Sequence, residues 1–563
     1  MGVPSLFRSI IKKYPACYYA VNEDTVEHLY LDFNCLIHHC AHIISLSRDQ
    51  SQRDIEEQLI VSVISYTSHI ICEVVKPTKL VYIAIDGPVP MGKIVQQRKR
   101  RYKKIQDDCF IKKLNEKHNI EDTSCFNSNK ITPGTVFMSK LCNRIKNLIG
   151  LGVFSSHIVT NNKKYNVFFS DANTPGEGEH KIINFINNNT KTPNTVIYGL
   201  DADLIILSMG CKNPNIKLIR EPQNTSNEIS DFTSSYQFVY IDIQIYTKSF
   251  ITEYKLQSYN RTYILNDIVF LSFIGGNDFV EPFINTKIRD KNNFVKLINI
   301  YTSILFTKQN HLIVDLEVNY DFFLNIIQEI SLSEDNFVKR KNNYYSDKSQ
   351  INELSLNEEL ENYYHSLYIS EKNPFYEYYQ GQMNSINYKL PHSSWKQQFY
   401  NHFSPNINIT DMCQEYLKSL IWTYNYYIKS GIPSWNFYYA FRVAPLATDL
   451  YSFIKDNQNC FSNISFCNHN DNEITPLQQL LIVTPIQHAG ILPWSFQQIY
   501  KNTDWEPVKF KLDILKGGKN IYSDPILPEI NLNHIDKFLS NVPVTEIEKT
   551  RNVIRKNVFC MKF

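Results

Sequence analysis

Three short apolar runs in this chain each deliver an aspartate, and that pattern restricts the fold more than any other feature. His28-Leu29-Tyr30-Leu31 leads into Asp32, Leu80 through Ile85 into Asp86, and Thr195 through Leu200 into Asp201. Runs this short, rich in β-branched and aromatic residues, read as buried strands. In an open α/β sheet, ligands gather outside the carboxyl ends of the parallel strands. Three carboxylates at one such edge repel each other unless cations sit among them. The pattern therefore points to hard divalent metal ions and to phosphate chemistry.

The chain has 563 residues, enough for roughly two to four domains. Hydrophobic content of 43% and aromatic content of 13% fit a folded protein unusually rich in Tyr and Phe. Its 58 Lys and Arg nearly cancel its 56 Asp and Glu, so a polyanion would have to be gripped by local patches rather than by the net charge of +2. The twelve cysteines include no C-x-x-C pair, which argues against a disulfide framework and a zinc ribbon. No 20-residue apolar span or secretory signal is recognised, and Leu6 stands where a myristoylation pattern needs Ser or Thr. The expectation is an intracellular protein with no membrane association, in the cytoplasm rather than the nucleus.

Residues 1–330 alternate strand-like and helix-like segments, as a doubly wound sheet requires. Residues 55–75 carry apolar positions at helical spacing. Residues 331–394 lose the long apolar runs and read as a polar, Asn- and Tyr-rich linker or insertion. Order returns over 395–563, where 411–430 form an aromatic-rich helical pattern stopped by Gly431-Ile432-Pro433.

Further acids join the first three. Asp171-Ala172-Asn173-Thr174-Pro175-Gly176-Glu177-Gly178-Glu179 is a turn that opens a helix, with glycines allowing Glu177 and Glu179 to point inward. Asp203 follows Asp201 by two residues, so an extended backbone would project both to one side. Asp278 follows another apolar run through Gly275-Gly276-Asn277. Each acid alone is equally well read as a helix N-cap. Seven acids in four such settings favour a cluster.

Lys93, Gln97, Arg100, Arg101 and Lys104 fall on one face of a helix following Asp86. That face could hold a terminal phosphate, but a solvated surface or a nuclear-localisation run fits the same residues. The Asn34–His42 segment holds three histidines and two cysteines, yet no second ligand pair for zinc. His38 is either a packed side chain or one that stacks on a nucleobase or orients a phosphate. The run from Ser434 to Tyr439, with Trp435, reads as core packing or as a stacking wall for single-stranded bases.

Taken in order, these segments resemble the 5′→3′ exoribonuclease (XRN) family. The resemblance rests on Met1-Gly2-Val3-Pro4, Leu31-Asp32-Phe33-Asn34 with Ile37-His38, Ile85-Asp86-Gly87-Pro88 with Gln96-Gln97-Arg98, and Ile131-Thr132-Pro133-Gly134-Thr135. It continues through Pro175 to Lys181, Tyr198 to Leu204, Gly276 to Phe279, Gly431 to Leu450, and Phe510-Lys511-Leu512-Asp513 with Ile526-Leu527-Pro528. It spans about residues 1–330 and 395–555.

The resemblance implies a mostly parallel sheet flanked by helices, a PIN- or flap-nuclease-like catalytic core, with a largely helical second region packed on it and completing the pocket. Asp32, Asp86, Glu177, Glu179, Asp201, Asp203 and Asp278 would hold two Mg²⁺ ions, with Mn²⁺ a possible substitute. Lys93, Gln97, Arg100 and Arg101 would bind the 5′-monophosphate of single-stranded RNA. His38 would stack on the first base, with Trp435 opposite. The implied protein is a monomer recruited by decapping or RNA-decay factors, and a compact member lacking a long C-terminal extension and zinc-knuckle cysteines.

Several positions depart from the family pattern. Phe437, Ala440 and Arg442 replace a tryptophan, a proline and a histidine, and Val280-Glu281-Pro282 replaces Leu-Pro-His. Two other readings stand beside this one. A flap-type DNA endonuclease or 5′ exonuclease would carry a glycine-bearing helix-hairpin-helix after the last acid, and residues 283–289 lack the glycine pair. An inactive RNA-binding scaffold would have lost acids that are all present here.

Overall fold

A computed structural model describes residues 6–21, 24–46, 55–120, 126–156, 165–189, 191–222, 237–288, 290, 292–337, 360, 363, 392–429, 431–466, 471–501, 507–513, 521 and 523–563. Most of the 331–394 segment, and the Met1–Pro4 motif, lie outside the described residues.

One eight-stranded sheet organises the chain. Its strands are β1 (Tyr18–Ala20), β2 (His28–Asp32), β3 (Leu80–Ala84), β4 (Asn166–Ser170), β5 (Thr195–Tyr198), β6 (Ile216–Arg220) and β7 (Val239–Asp242), with a late eighth strand described below. The order runs β1-β7-β6-β5-β2-β3-β4 and then that eighth strand. The five strands β6, β5, β2, β3 and β4 are parallel, whereas β7 runs antiparallel to β6 and the edge strand β1 antiparallel to β7. Two small antiparallel hairpins, β8 (Ile313–Val314) with β9 (Glu317–Val318) and β10 (Lys511–Asp513) with β11 (Asp524–Ile526), lie apart from the sheet.

The central strands are buried on both faces, so they read as continuous apolar runs rather than alternating ones. Leu29, Leu31, Val81 and Ile83 face a core shared with the Phe33–Leu46, Ile55–His69 and Val136–Gly150 helices. Tyr30, Tyr82 and Ile197 face the other core, which runs without a break into the Arg261–Ile274, Tyr320–Leu332 and Ile409–Ile428 helices. The helical second region is therefore packed on one face of the sheet.

Two features depart from the sequence expectation. Ile55–Val75 is a continuous helical stretch of 21 residues with mean hydropathy 1.5, apolar enough by length and composition to cross a membrane. Here it serves as a core helix, burying Leu59, Ile60, Val63, Ile70, Ile71 and Val75 against the sheet and its neighbours. The second feature is that the C-terminal residues join the first region's sheet: β12 (Phe559–Lys562) pairs antiparallel with β4. Arg551 donates to Gly134 O at 2.8 Å, Asn173 Nδ2 to Val553 O at 2.7 Å, and Arg555 pairs with Asp171. The tail thereby fastens the loop after β4.

Candidate active site

The chain lays β2, β3 and β4 to one side and then crosses back to place β5 and β6 on the other, which makes the crevice beside β2 a topological switch point. Register decides what the strand ends present there. Asp32 pairs with Ala84 and Leu31 with Tyr198, so Asp86 and Asp201 project just past the ends of β3 and β5.

The Asp171–Glu179 turn closes the edge. Gly176 has φ of +102°, a left-handed conformation that favours glycine. A Cβ on Gly178 would lie 2.9 Å from Asp32 Oδ1 and 3.3 Å from Asp86 Oδ1, so only glycine lets this backbone approach both carboxylates. Gly178 N then donates to Asp86 Oδ1 at 2.6 Å. Asn34 holds the other Asp86 oxygen at 2.9 Å and accepts from Asp86 N in return. Lys181, buried behind the turn, donates to Ile85 O at 2.7 Å and Asp171 O at 3.3 Å, tying the ends of two strands together.

Asp203 reaches the cluster by a different route from the one its spacing suggests. Ala202 is α-helical and Asp203 opens the Asp203–Met209 helix, so the segment is not extended. Asp278 is presented by a turn in which Asn277 Oδ1 accepts from Phe279 N at 2.9 Å and Val280 N at 2.8 Å. Lys93 bridges two members of the set, at 2.5 Å from Glu177 Oε2 and 2.8 Å from Asp278 Oδ2.

The electrostatics follow from burial and like charge. Burial and then Asp86 push the Asp32 carboxyl up to about 7, with the Cys35 thiol bond opposing. Burial followed by Asp201 and Asp278 raises Asp203 to about 8, and burial with Asp201, Asp203 and Glu177 lifts Glu179 well above the ordinary range. Asp278 goes the other way: burial disfavours its charge, but the Lys93 ammonium holds it well below the usual carboxylate range. Glu179 Oε2 is buried without a hydrogen-bond partner among the described residues. Buried oxygen donors that cannot all ionise together fit a divalent cation. Among the described residues, however, no three such groups already form a closed cage.

The basic face divides along its length. Met91–Lys117 is one helix, as expected. Lys93 serves the carboxylates, Gln97 accepts from Gln479 Nε2 at 3.1 Å, Arg101 donates to Thr132 at 2.5 Å, and Lys104 pairs with Asp108 at the surface. Arg100 is exposed, and its charge helps to lower Asp278. His38 is open to solvent at its outer edge, yet protein packed around the ring and then Arg100 and Arg101 push its imidazole down to about 4. The histidine thus lies within electrostatic reach of both arginines.

Trp435 departs from the stacking-wall expectation. It is 9% exposed and packs with Met91, Ile94, Leu477 and Leu480, so the ring is a core element that seats the basic helix. The neighbouring Phe437 instead lines a cavity of about 630 Å³, together with Gln96, Arg100, Asp278, Phe279 and Trp422.

Two residues not singled out by the sequence pattern join the cluster: Gln96 donates to Asp278 Oδ1 at 3.2 Å and Asn34 to Asp86, and both lie inside the motifs Gln96-Gln97-Arg98 and Leu31-Asp32-Phe33-Asn34. Tyr426 and Tyr427 also reach the acids. Their only signal is a tyrosine doublet just before the Gly431 stop.

Known proteins resemble this chain over both of its regions. Residues 1–222 match the XRN 5′-3′ exonuclease N-terminus, and residues 258–385 and 378–562 match the Xrn1 helical domain. The chain belongs to the XRN 5′-3′ exonuclease family. It is 25% identical to 5′-3′ exoribonuclease 1 of Saccharomyces cerevisiae, over 92% of this chain and 42% of that protein. It is 25% identical to the Homo sapiens 5′-3′ exoribonuclease 1, over all of this chain and 35% of that protein. Against 5′-3′ exoribonuclease 2 of Gallus gallus the identity is 25%, over 99% of this chain and 72% of the relative. The chain thus spans well under half the length of the first two relatives.

Proposed function

We propose that this protein is a metal-dependent 5′→3′ exoribonuclease that removes nucleotides one at a time from 5′-monophosphorylated single-stranded RNA. The observation that carries the reading is seven carboxylates at one sheet edge beside a helix bearing Lys93, Arg100 and Arg101. The names of the relatives support the same activity.

Asp32, Asp86, Glu177, Glu179, Asp201, Asp203 and Asp278 would hold two Mg²⁺ ions, with Mn²⁺ a possible substitute. When bound, the ions supply Lewis acidity to the attacking water and the leaving 3′-oxygen. Water adds to the scissile phosphorus and the P–O3′ bond breaks, releasing a nucleoside 5′-monophosphate and leaving a new 5′-phosphate on the RNA. Lys93 holds Glu177 and Asp278 in place while charge develops nearby. Arg100 and Arg101 offer forked donors to the terminal phosphate and Gln97 an amide. A triphosphate or cap carries bulk and charge that a site for one phosphate does not take. His38 would stack on the terminal base at the mouth.

The test is degradation of one RNA carrying a 5′-monophosphate, hydroxyl, triphosphate or cap, with and without Mg²⁺, beside a matched DNA strand. Mg²⁺-dependent release of mononucleotides from the monophosphate RNA alone is expected. Equal loss of all four ends, or preferential loss of the DNA, would overturn the assignment.

A further inference from the structure

Two tyrosine hydroxyls reach the acidic cluster from the second region. Tyr426 and Tyr427 lie in the last turn of the Ile409–Ile428 helix and are 4% and 5% exposed. Tyr426 OH donates to Glu177 Oε1 at 3.0 Å, and Tyr427 OH to Asp203 Oδ2 at 3.4 Å. A phenol keeps its proton at neutral pH, so toward an ionised carboxylate each acts as a donor.

The rings have little freedom. His180, three residues beyond Glu177, stacks on Tyr426 with centroids 3.9 Å apart and planes at 25°. Trp422 lies 5.1 Å away and Phe279 meets the ring edge-on at 5.5 Å. Phe273 meets Tyr427 edge-on at 5.0 Å. Glu177 is consequently held at both oxygens, Oε1 by a phenol and Oε2 by the Lys93 ammonium. Tyr424, on the same helix, has a buried hydroxyl with no partner among the described residues. The tyrosine-rich helix thus supplies its own comparison, since among the described residues the hydroxyls of Tyr426 and Tyr427 find partners and that of Tyr424 does not.

We infer that Tyr426 and Tyr427 are positioning residues: they fix the rotamers of Glu177 and Asp203, so that the ion affinity of the N-terminal acids depends on a helix 249 and 224 residues away in sequence. The inference rests on the functional reading above. Partners that orient metal-ligating side chains typically change ion affinity or activity by about 10–100-fold when removed.

The test compares Tyr426→Phe, Tyr427→Phe and Tyr424→Phe with the unaltered protein. Mn²⁺ binding is measured by electron paramagnetic resonance without RNA, single-turnover hydrolysis is followed across a Mg²⁺ titration, and thermal melting monitors the fold. Tyr426→Phe is expected to weaken Mn²⁺ binding about tenfold or more and to shift the Mg²⁺ midpoint upward by a similar factor. Tyr427→Phe, with the longer contact, should shift both less, and Tyr424→Phe should match the parent. Unchanged Mn²⁺ affinity in Tyr426→Phe, or an equal shift in Tyr424→Phe, overturns the inference. A parent that binds Mn²⁺ but hydrolyses no RNA refutes the functional reading, while the affinity comparison still decides this one.

Discussion

The strand-end acids and the tyrosine helix meet at the same carboxylates but reach them by different kinds of chain. Asp32, Asp86 and Asp201 sit within two or three residues of their strands, so backbone register alone brings them together. Tyr426 and Tyr427 arrive only after the Ile409–Ile428 helix has packed on the core beneath the sheet. The acids are a local consequence of topology, whereas the groups that orient them depend on tertiary packing. Damage to the first kind should remove chemistry and spare the fold. Damage to the second should alter affinity, geometry or stability first.

Trp435 gives the largest expected effect on the packing side. Trp435→Ala should destabilise the protein by about 3–5 kcal/mol, the usual cost of emptying a buried aromatic site. Urea unfolding measures it. A stability loss near zero, with weakened RNA binding, would return the ring to the stacking role that its surroundings argue against.

Arg100 sharpens the boundary between the two kinds. Its exposed guanidinium is the cation best placed to meet an incoming phosphate, and a charge-assisted hydrogen bond contributes about 1.5–3 kcal/mol. Arg100→Ala should reduce the preference for monophosphate over hydroxyl ends by about tenfold or more, read as a ratio of kcat/KM values. An unchanged ratio would mean that the end is recognised elsewhere.

The smallest effect is a pH trend. Asp32 and Asp203 have folded-state values of about 7 and 8, above their unfolded value of 3.8. Their contribution to stability is therefore fully present below 3.8 and lost as pH rises through 7–8. Asp278, held low by Lys93, has the opposite sign, and its contribution is complete once pH exceeds its unfolded value. In chelator, thermal stability should fall from pH 5 to pH 8, and Mg²⁺ should flatten the slope by replacing protons. A chelator curve that rises across that window would contradict the reading of the acids as mutually repelling.

Legibility in the sequence tracked the same division. The parallel sheet and the placing of Asp32, Asp86 and Asp201 at its strand ends are readable because strand and acid are adjacent in the chain. The basic helix was readable as a helix, but not in its division of labour, because Gln479 and Thr132 come from distant segments. The spacing of Asp203 from Asp201 suggests an extended backbone, which the helical conformation of Ala202 does not support. Trp435 could not be sorted between core and wall, since both use aromatic residues and only its neighbours decide. The pairing of β12 with β4 joins residues nearly 400 positions apart, a contact no local pattern announces.

The central claim is that the strand-end carboxylates supply the chemistry while the helices around them supply position and selectivity. Single-turnover hydrolysis of a 5′-monophosphorylated RNA by Asp201→Ala, with binding of the same RNA measured in parallel, tests it most directly. Loss of hydrolysis with the fold and RNA affinity retained is the predicted result. Hydrolysis at the rate of the unaltered protein would contradict it.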